Sequence, residues 1–306
     1  MKLYVFITLV LSAVMFFFPF LSVSRVFSEK SSVENKNSTV VISDMNGENK
    51  EETELFDYIV GTVAAEMPAS FEKEALKAQA VAAYTYQKYL REKGTEVIID
   101  GSIHQEYRTD EELKKLWGED YEKYKAKIEN AVESVYGEFL IYNGETVPAL
   151  YHAISPGNTE SSEVIFGRKV NCLSGVTAPG DRLSPRYSEE ISFTKKEAVD
   201  IFSEKGMKLS EKSEKLMEVK SCTDNSYPTE IEVGTKKLCG KDIREYFSLP
   251  SPFFEVTESS SEVVFTVYGR GHGVGMSQYS ADYMARQGFT YKDILLHFYK
   301  GAEITQ

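Results

Sequence analysis

Apolar residues recur at helical spacing in the first part of the chain that carries regular patterning. In LFDYIVGTVAAEM, positions 55, 56, 59, 60 and 63 are apolar, which predicts an amphipathic helix. Because Pro68 disfavours helical backbone at Met67, this helix should end near Glu66. A second, alanine-rich helix is predicted from a cap at Ser70 to about Arg91. Glu66 is therefore expected at a joint between two helices.

The rest of the chain mixes helical and strand-like patterns without regular alternation. Residues 110–134 and 194–206 predict helices, and Asn143-Gly144 predicts a tight hairpin turn within FLIYNGETVPALYHA. Residues 155–181 are loop-like. Strands are predicted in EKLMEVKSCTD, TEIEVGTKKLCG and VVFTVYG, and closing helices in SADYMARQ and YKDILLHFYK. This order predicts an α+β fold of mixed helices and antiparallel sheet.

The first residues form an uninterrupted apolar run. LYVFITLVLSAVMFFFPFLSV, residues 3–23, contains no charge and is long enough for a helix to cross a bilayer. A cleaved signal peptide is the alternative, but the run is long for one and no A-x-A site follows. We therefore predict a transmembrane signal-anchor over residues 1–23, a polar flexible linker over 24–54 and one folded domain over 55–306.

Charge and cysteine content narrow the range of partners and sites. The formal net charge of −12 disfavours nucleic acid and anionic membrane surfaces, since both attract basic proteins. Cys172, Cys222 and Cys239 form no C-x-x-C pattern, so a structural zinc site is not predicted. Cys222 and Cys239 could form a disulfide, or all three could be buried free thiols.

Common catalytic motifs are missing from the sequence. The run GRGHGVGMSQ lies too near the end of the chain for a dinucleotide-binding unit, and it lacks the Gly-Lys-Ser/Thr of a phosphate loop. None of the four histidines, His104, His152, His272 and His297, are at the spacing of a local metal motif. No G-x-S-x-G nucleophile motif occurs.

Three long blocks carry a resemblance to a known family. EMPASFEKEALKAQAVAAYTY (66–86), YHAISPGNTESSEVIFG (151–167) and GRGHGVGMSQYSADYMA (269–285) resemble the signature blocks of the stage II sporulation protein D family, in the family's order. Family members are lytic transglycosylases of the bacterial cell wall, related to amidase enhancers. The resemblance extends over about residues 55–304.

The resemblance implies that Glu66 is the catalytic acid and that no cofactor is needed. A lytic transglycosylase cleaves the bond between N-acetylmuramic acid and N-acetylglucosamine by attack of the muramic 6-hydroxyl, which gives a 1,6-anhydro end. One glutamate can protonate the leaving oxygen and then accept the hydroxyl proton. Apolar neighbours such as Val63 and Met67 would raise its pKa by desolvation.

Further positions match the family blocks and are expected to line a glycan-binding cleft, with structural support as the alternative role for each. These are His152, Ser155, Thr159, Glu160, His272, Ser277 and Gln278. Tyr84 stands where the family usually has arginine, and its ring could stack on a sugar. Some relatives bind zinc through a His-Cys pair, but this chain reads SIHQEY, so no metal is predicted.

The resemblance also implies a cellular setting. The protein would be anchored in the mother-cell membrane with its domain in the intermembrane space, and would act during engulfment on glycan strands stripped of stem peptides. Stage II sporulation proteins P, an amidase, and M would be its partners. Two other functions stay open: a non-catalytic glycan-binding enhancer of an amidase, and a zinc hydrolase.

Overall fold

The computed structural model of the chain describes residues 39–43, 50–94, 97–98 and 105–306. Its helices are α1 (Leu55–Glu66), α2 (Lys73–Glu92), α3 (Asp110–Trp117), α4 (Tyr121–Glu133), α5 (Ser162–Phe166), α6 (Lys195–Glu204), α7 (Gly240–Phe247), α8 (Gln278–Arg286) and α9 (Tyr291–Phe298), with short 3-10 turns at Gly118–Asp120 and Asp181–Leu183. The fold is α+β with mainly antiparallel pairing, as predicted.

The strands form small separate sheets. They are β1 (Thr39–Ser43), β2 (Lys50–Glu54), β3 (Val97–Ile98), β4 (Phe139–Tyr142), β5 (Glu145–Thr146), β6 (Tyr151–His152), β7 (Ser188–Thr194), β8 (Glu218–Cys222), β9 (Pro228–Val233), β10 (Lys236–Leu238), β11 (Phe253–Glu258), β12 (Glu262–Tyr268), β13 (Met276–Ser277) and β14 (Glu303–Thr305). The sheet orders are β2-β1-β3, β10-β9-β8, β11-β12-β7, β13-β6 and β14-β4-β5.

The joint after α1 is confirmed, but the start of the next helix is not where the sequence predicts it. Met67 has extended backbone at φ −121° and ψ 141°, so α1 ends at Glu66. Ser70 does not cap α2: a turn closed by the Phe71 N–H and the Pro68 carbonyl delays the helix, and Glu72 becomes its N-cap. The Glu72 N–H donates to Asp282 Oδ1 over 2.7 Å. A side chain distant in sequence, rather than a neighbouring one, therefore accepts from the backbone at the start of α2.

The predicted hairpin forms only in its first half. Asn143 and Gly144 have positive φ angles of 51° and 81°, as a tight turn between antiparallel strands requires. After it the chain leaves the sheet, and β6 pairs in parallel with β13 instead. The sequence also did not predict α5, which lies within the loop-like residues 155–181, or the final strand β14, which pairs with β4.

Two hydrophobic cores organise the chain. The larger one is built around the helices α1, α2, α4 and α9, with Tyr58, Leu76 and Phe298 among its fully buried side chains. The smaller one contains Phe202, Ile231 and Phe265 and lies entirely within residues 188–267. The ends of this second unit meet, because Ser188 of β7 pairs with Tyr268 of β12. Residues 188–268 are thus an insertion between two stretches of the larger core.

Two further predictions concern the N-terminal part of the chain. Strands β1 and β2 fall inside the range predicted as a linker, 24–54, so paired backbone begins before residue 55. Residues 1–23 lie outside the described ranges, and none of the helices described is long and apolar enough to span a membrane.

All three cysteines are free thiols: Cys172 is buried, Cys222 is exposed and Cys239 is half-buried. The disulfide between Cys222 and Cys239 is therefore not formed, and only one thiol is buried.

Candidate active site

Glu66, the last residue of α1, is half-buried and accepts hydrogen bonds on both carboxylate oxygens. The Glu106 backbone N–H donates to Oε1 over 2.9 Å, and the Tyr151 hydroxyl lies 3.4 Å from the same oxygen. The Gln278 side-chain amide donates to Oε2 over 3.1 Å. These contacts bring together residues that are up to 212 positions apart. They hold the carboxylate in one orientation.

The surroundings of Glu66 raise its pKa to about 7. Burial is the main cause, since desolvation disfavours the charged form. The hydrogen bonds from the Glu106 N–H, Gln278 and Tyr151 act in the opposite direction, while the charge of the Glu106 carboxylate raises the pKa further. A group with this pKa can both donate and accept a proton near neutral pH.

A two-residue parallel pairing places two of the donors. Met276 of β13 stands opposite Tyr151 of β6, and Gln278 follows directly on β13 as the first residue of α8. The approach requires glycine at position 275, where φ is +74° and a Cβ atom would clash with the Leu150 carbonyl oxygen. The glycine-rich run thus serves close backbone packing beside Glu66, rather than a nucleotide.

Gln79 of α2 is a member of the site that sequence reasoning missed. Its side chain is fully buried, and its Oε1 lies 3.4 Å from the Gln278 amide nitrogen that donates to Glu66. Its own Nε2 is buried without a hydrogen-bond partner within the described part of the chain. A glutamine between Ala78 and Ala80 in a helix of small residues was the available signal, because a buried amide usually serves a polar partner.

A second missed residue, Asp181, organises the support behind the site. Its fully buried carboxylate accepts from the hydroxyls of Ser277 and Ser280, each over 2.7 Å, and from the Ser155 N–H over 2.6 Å. Ser277 is also the N-cap of α8, which begins with Gln278. Ser155 and Ser277, both predicted to line the cleft, are therefore buried and support the site from behind.

His152 and His272 form a pair of imidazoles next to the site, with ring centroids 5.7 Å apart. The Val274 backbone bridges them: its carbonyl bonds His152 Nδ1, and its N–H donates to His272 Nδ1, each over 3.1 Å. Burial lowers the pKa of His152, and burial together with the neighbouring His152 and Arg244 lowers that of His272 to about 3. Both rings are thus neutral at physiological pH.

Thr159 and Glu160 join neighbouring loops by hydrogen bonds. The Thr159 hydroxyl accepts from the Val176 N–H over 2.9 Å. The Glu160 carboxylate accepts from the Ser161 N–H and the Thr223 hydroxyl, each over 2.8 Å, and from Asn225 over 3.3 Å. With 6% of its surface exposed, Glu160 ties the insertion to the main body instead of presenting a second acid.

The structure does not place Tyr84 where a sugar could stack on it. Tyr84 is 5% exposed within the larger core, and its ring packs edge-on against Tyr136 at 5.6 Å. Tyr136 in turn contacts Phe56, at the opposite end of α1 from Glu66. The aromatic residue in place of the family's arginine therefore fills the core.

No three His, Cys, Asp or Glu side chains converge in a metal-binding arrangement among the residues described. His104 lies outside those residues. His297 bonds the Thr177 carbonyl over 2.7 Å, so it fastens a loop to α9.

Comparisons with known proteins identify the family. A family model described as "Stage II sporulation protein" (SpoIID) matches residues 44–142. "Stage II sporulation protein D" of Bacillus subtilis is 37% identical over 259 residues, 82% of this chain and 74% of the relative, and that of Bacillus amyloliquefaciens is 36% identical with the same coverage. An "Amidase enhancer" of Bacillus subtilis is 26% identical over 80% of this chain and 40% of its own length. The chain belongs to the stage II sporulation protein D family.

Proposed function

We propose that the protein is a lytic transglycosylase of peptidoglycan with Glu66 as its acid and base. The observation that carries the proposal is a half-buried carboxylate, held by three donors, with a pKa of about 7. Hydrolytic glycosidases generally employ two carboxylates, one of which activates water or attacks the sugar. The buried Glu160 is already saturated by its own donors and offers no such second group.

The geometry supports a proton cycle on one carboxyl group. Among the described residues Oε1 has two donors and Oε2 has one, Gln278, so we place the proton on Oε2. In the first step this proton passes to the glycosidic oxygen as the bond to C1 breaks. The three donors then stabilise the carboxylate that is left. In the second step the carboxylate accepts the proton of the muramic 6-hydroxyl as that oxygen attacks C1, which regenerates the acid.

The products distinguish this reaction from hydrolysis. Peptide-stripped glycan strands treated with the protein in isotopically labelled water should give 1,6-anhydro ends without solvent oxygen, as measured by mass spectrometry. A hydrolase would introduce one labelled oxygen at each new reducing end. Labelled ends from the purified protein would disprove the transglycosylase assignment.

The pKa of Glu66 predicts how the rate depends on pH. Because the acid must be protonated at the first step, kcat/KM should fall as the pH rises through about 7, roughly tenfold per unit beyond it. Glu106→Gln removes a negative charge that raises this pKa, so the alkaline fall should move to lower pH. The measurement is the initial rate of anhydro-product formation across pH. A rate that stays level through pH 7, or a shift to higher pH in the variant, would contradict the assignment.

The setting we propose follows the resemblance: a membrane-anchored protein acting on peptide-stripped strands during engulfment, with stage II sporulation proteins P and M as partners. A second function, a glycan-binding enhancer of an amidase without turnover, is supported by the likeness to an amidase enhancer. Binding of strands without anhydro products would favour it.

A further inference from the structure

One donor to Glu66 comes from a stretch of chain without regular secondary structure. Residues 105–109 belong to no helix or strand, so no ladder of backbone hydrogen bonds sets their orientation. The Glu106 N–H nevertheless donates to Glu66 Oε1 over 2.9 Å. That N–H belongs to the planar peptide unit between Gln105 and Glu106, so its direction depends on how Gln105 is held.

The side chain of Gln105 is fixed at both ends of its amide. It is buried, and its Oε1 accepts from the Tyr58 hydroxyl of α1 over 3.1 Å. Its Nε2 donates to the Ala83 carbonyl of α2, also over 3.1 Å. Because a carbonyl only accepts hydrogen bonds, the contact with Ala83 determines which end of the amide carries the nitrogen. Gln105 thus ties the stretch to the two helices on either side of the joint at Glu66.

The other side of the stretch is held separately. The Tyr107 ring stacks on Tyr58 at 5.5 Å, and the Arg108 N–H donates to the Gly61 carbonyl over 3.4 Å. Glycine permits this approach, because a Cβ atom at position 61 would lie 2.6 Å from the Arg108 carbonyl oxygen. The peptide unit that carries the Glu106 N–H therefore has an anchor on each side.

Gln105 also reaches the second donor to the same carboxylate oxygen. The Tyr151 hydroxyl lies 3.4 Å from Glu66 Oε1. Burial raises the pKa of this hydroxyl well above its usual value, and hydrogen bonding with Gln105 lowers it in part. A single amide is thus next to both groups that donate to Oε1.

We propose that Gln105 is a positioning residue for Glu66, whose doubly anchored amide directs the Glu106 N–H and the Tyr151 hydroxyl toward Oε1. This inference rests on the proposed function, since it takes Glu66 to be the reacting carboxyl group. Donors held on Oε1 leave the proton to Oε2, the oxygen that exchanges it with the substrate. Gln105 acts on the reaction through these donors.

The groups around Glu66 give the expected effect its sign. Burial raises the pKa of Glu66, and the hydrogen bonds from the Glu106 N–H and Tyr151 lower it because they favour the charged form. Tyr58 on α1 and Tyr151 on β6 have raised pKa values and stay neutral, while the charge of Glu106 raises the pKa of Glu66. Helices α2 and α8 contribute uncharged glutamine amides. Loss of the two donors should therefore raise the pKa of Glu66.

The test measures this pKa directly in the full chain. Gln105→Leu keeps the buried volume and leaves the anchor at Tyr107 in place, so Glu66 stays buried while the peptide unit loses its other anchor. The pKa of Glu66 should rise by about one unit. It is followed through the carboxyl carbon-13 resonance of glutamate-labelled protein, and Glu66→Gln identifies the resonance by its loss. In parallel, kcat should fall by about tenfold with KM unchanged, since the acid is misaligned while strand binding is kept.

Two further variants separate positioning from general loosening. Tyr58→Phe removes one of the two anchoring bonds and keeps the ring that stacks on Tyr107, so the pKa of Glu66 should rise by a smaller amount. Gln87→Leu makes the same exchange at another buried glutamine of α2, whose Oε1 has no hydrogen-bond partner within the described residues. It should leave the pKa of Glu66 unchanged.

An unchanged or lower pKa of Glu66 in Gln105→Leu, or an equal rise in Gln87→Leu, would overturn the positioning role. If Gln105→Leu does not fold, an unchanged pKa in Tyr58→Phe would overturn it instead. The titration needs no turnover, so its result is independent of the reaction products. The expected rise in a chain that gives reducing ends with solvent oxygen would keep the role of Gln105 and overturn the transglycosylase. Anhydro ends without the rise would do the reverse.

Discussion

Replacing Glu66 with glutamine should lower the rate of anhydro-product formation by about a thousandfold, the usual size of a general acid–base contribution. Glutamine keeps the shape of the side chain and can still accept from the Glu106 N–H and Tyr151, so the site should stay folded. It cannot give a proton to the glycosidic oxygen. The loss should therefore appear in kcat, with KM for the strand nearly unchanged. Initial rates on peptide-stripped strands across concentration provide the measurement.

The matched control is Glu74, a carboxylate of the same block that lies in the first turn of α2. It is tied to Lys77 by a 2.7 Å ion pair and accepts from the Tyr291 N–H over 2.9 Å, so it is engaged in structure. Glu74→Gln should keep most of the activity. If Glu74→Gln lost activity while Glu66→Gln kept it, the two assignments would be exchanged. Unchanged activity in Glu66→Gln alone would remove Glu66 from the mechanism.

Asp181→Ala should lower the free energy of unfolding by about 3–5 kcal/mol, because three buried donors lose their acceptor at once. These donors are the Ser277 and Ser280 hydroxyls and the Ser155 N–H. They belong to the N-terminus of α8 and to the loop after β6, so their loss also loosens Gln278 and Tyr151. Urea denaturation followed by circular dichroism gives the change in stability, and the same variant should lose activity.

A graded series checks that the effect comes from hydrogen bonding. Ser280→Ala keeps the carboxylate but removes one of its donors and the acceptor of the Gly180 N–H, and should cost about 1–2 kcal/mol. Asp181→Asn keeps an acceptor for the hydroxyls but turns an amide N–H₂ toward the Ser155 N–H, so it should fall between the two. Equal stabilities for Asp181→Ala and the unmodified protein would show that the buried carboxylate does not hold these segments together.

The sequence predicted the elements that depend on local chemistry. The end of α1 at Glu66 follows from Pro68, and the turn at Asn143-Gly144 follows from the positive φ angles that these residues tolerate. The helix from Lys195 begins at its Thr194 cap, where the side chain accepts from the Glu197 N–H. The site residues Glu66 and Gln278 came from the family blocks, and the structure brings them into contact.

What the sequence missed depends on contacts between distant segments. Asp181 lies in a stretch with no periodicity, and its role appears only once residues near 155 and 280 meet. Tyr84 was assigned to the site because of its position in a block, but helical periodicity cannot tell which of several apolar faces meets a ligand. The Ser70 cap failed because Asp282, far along the chain, serves the start of α2 instead.

The insertion has a consequence for the order in which the molecule folds. Glu66 and Gln278 are separated by 212 positions, a long loop to close, and contacts of this range make folding slow. Residues 188–268 contain their own core, and their two ends are joined by the pairing of Ser188 with Tyr268. If this unit folds first, it removes most of its own length from the loop and reduces the entropy lost on closure. Glu66 is thus synthesised early, whereas its amide partner Gln278 is made only after the whole insertion.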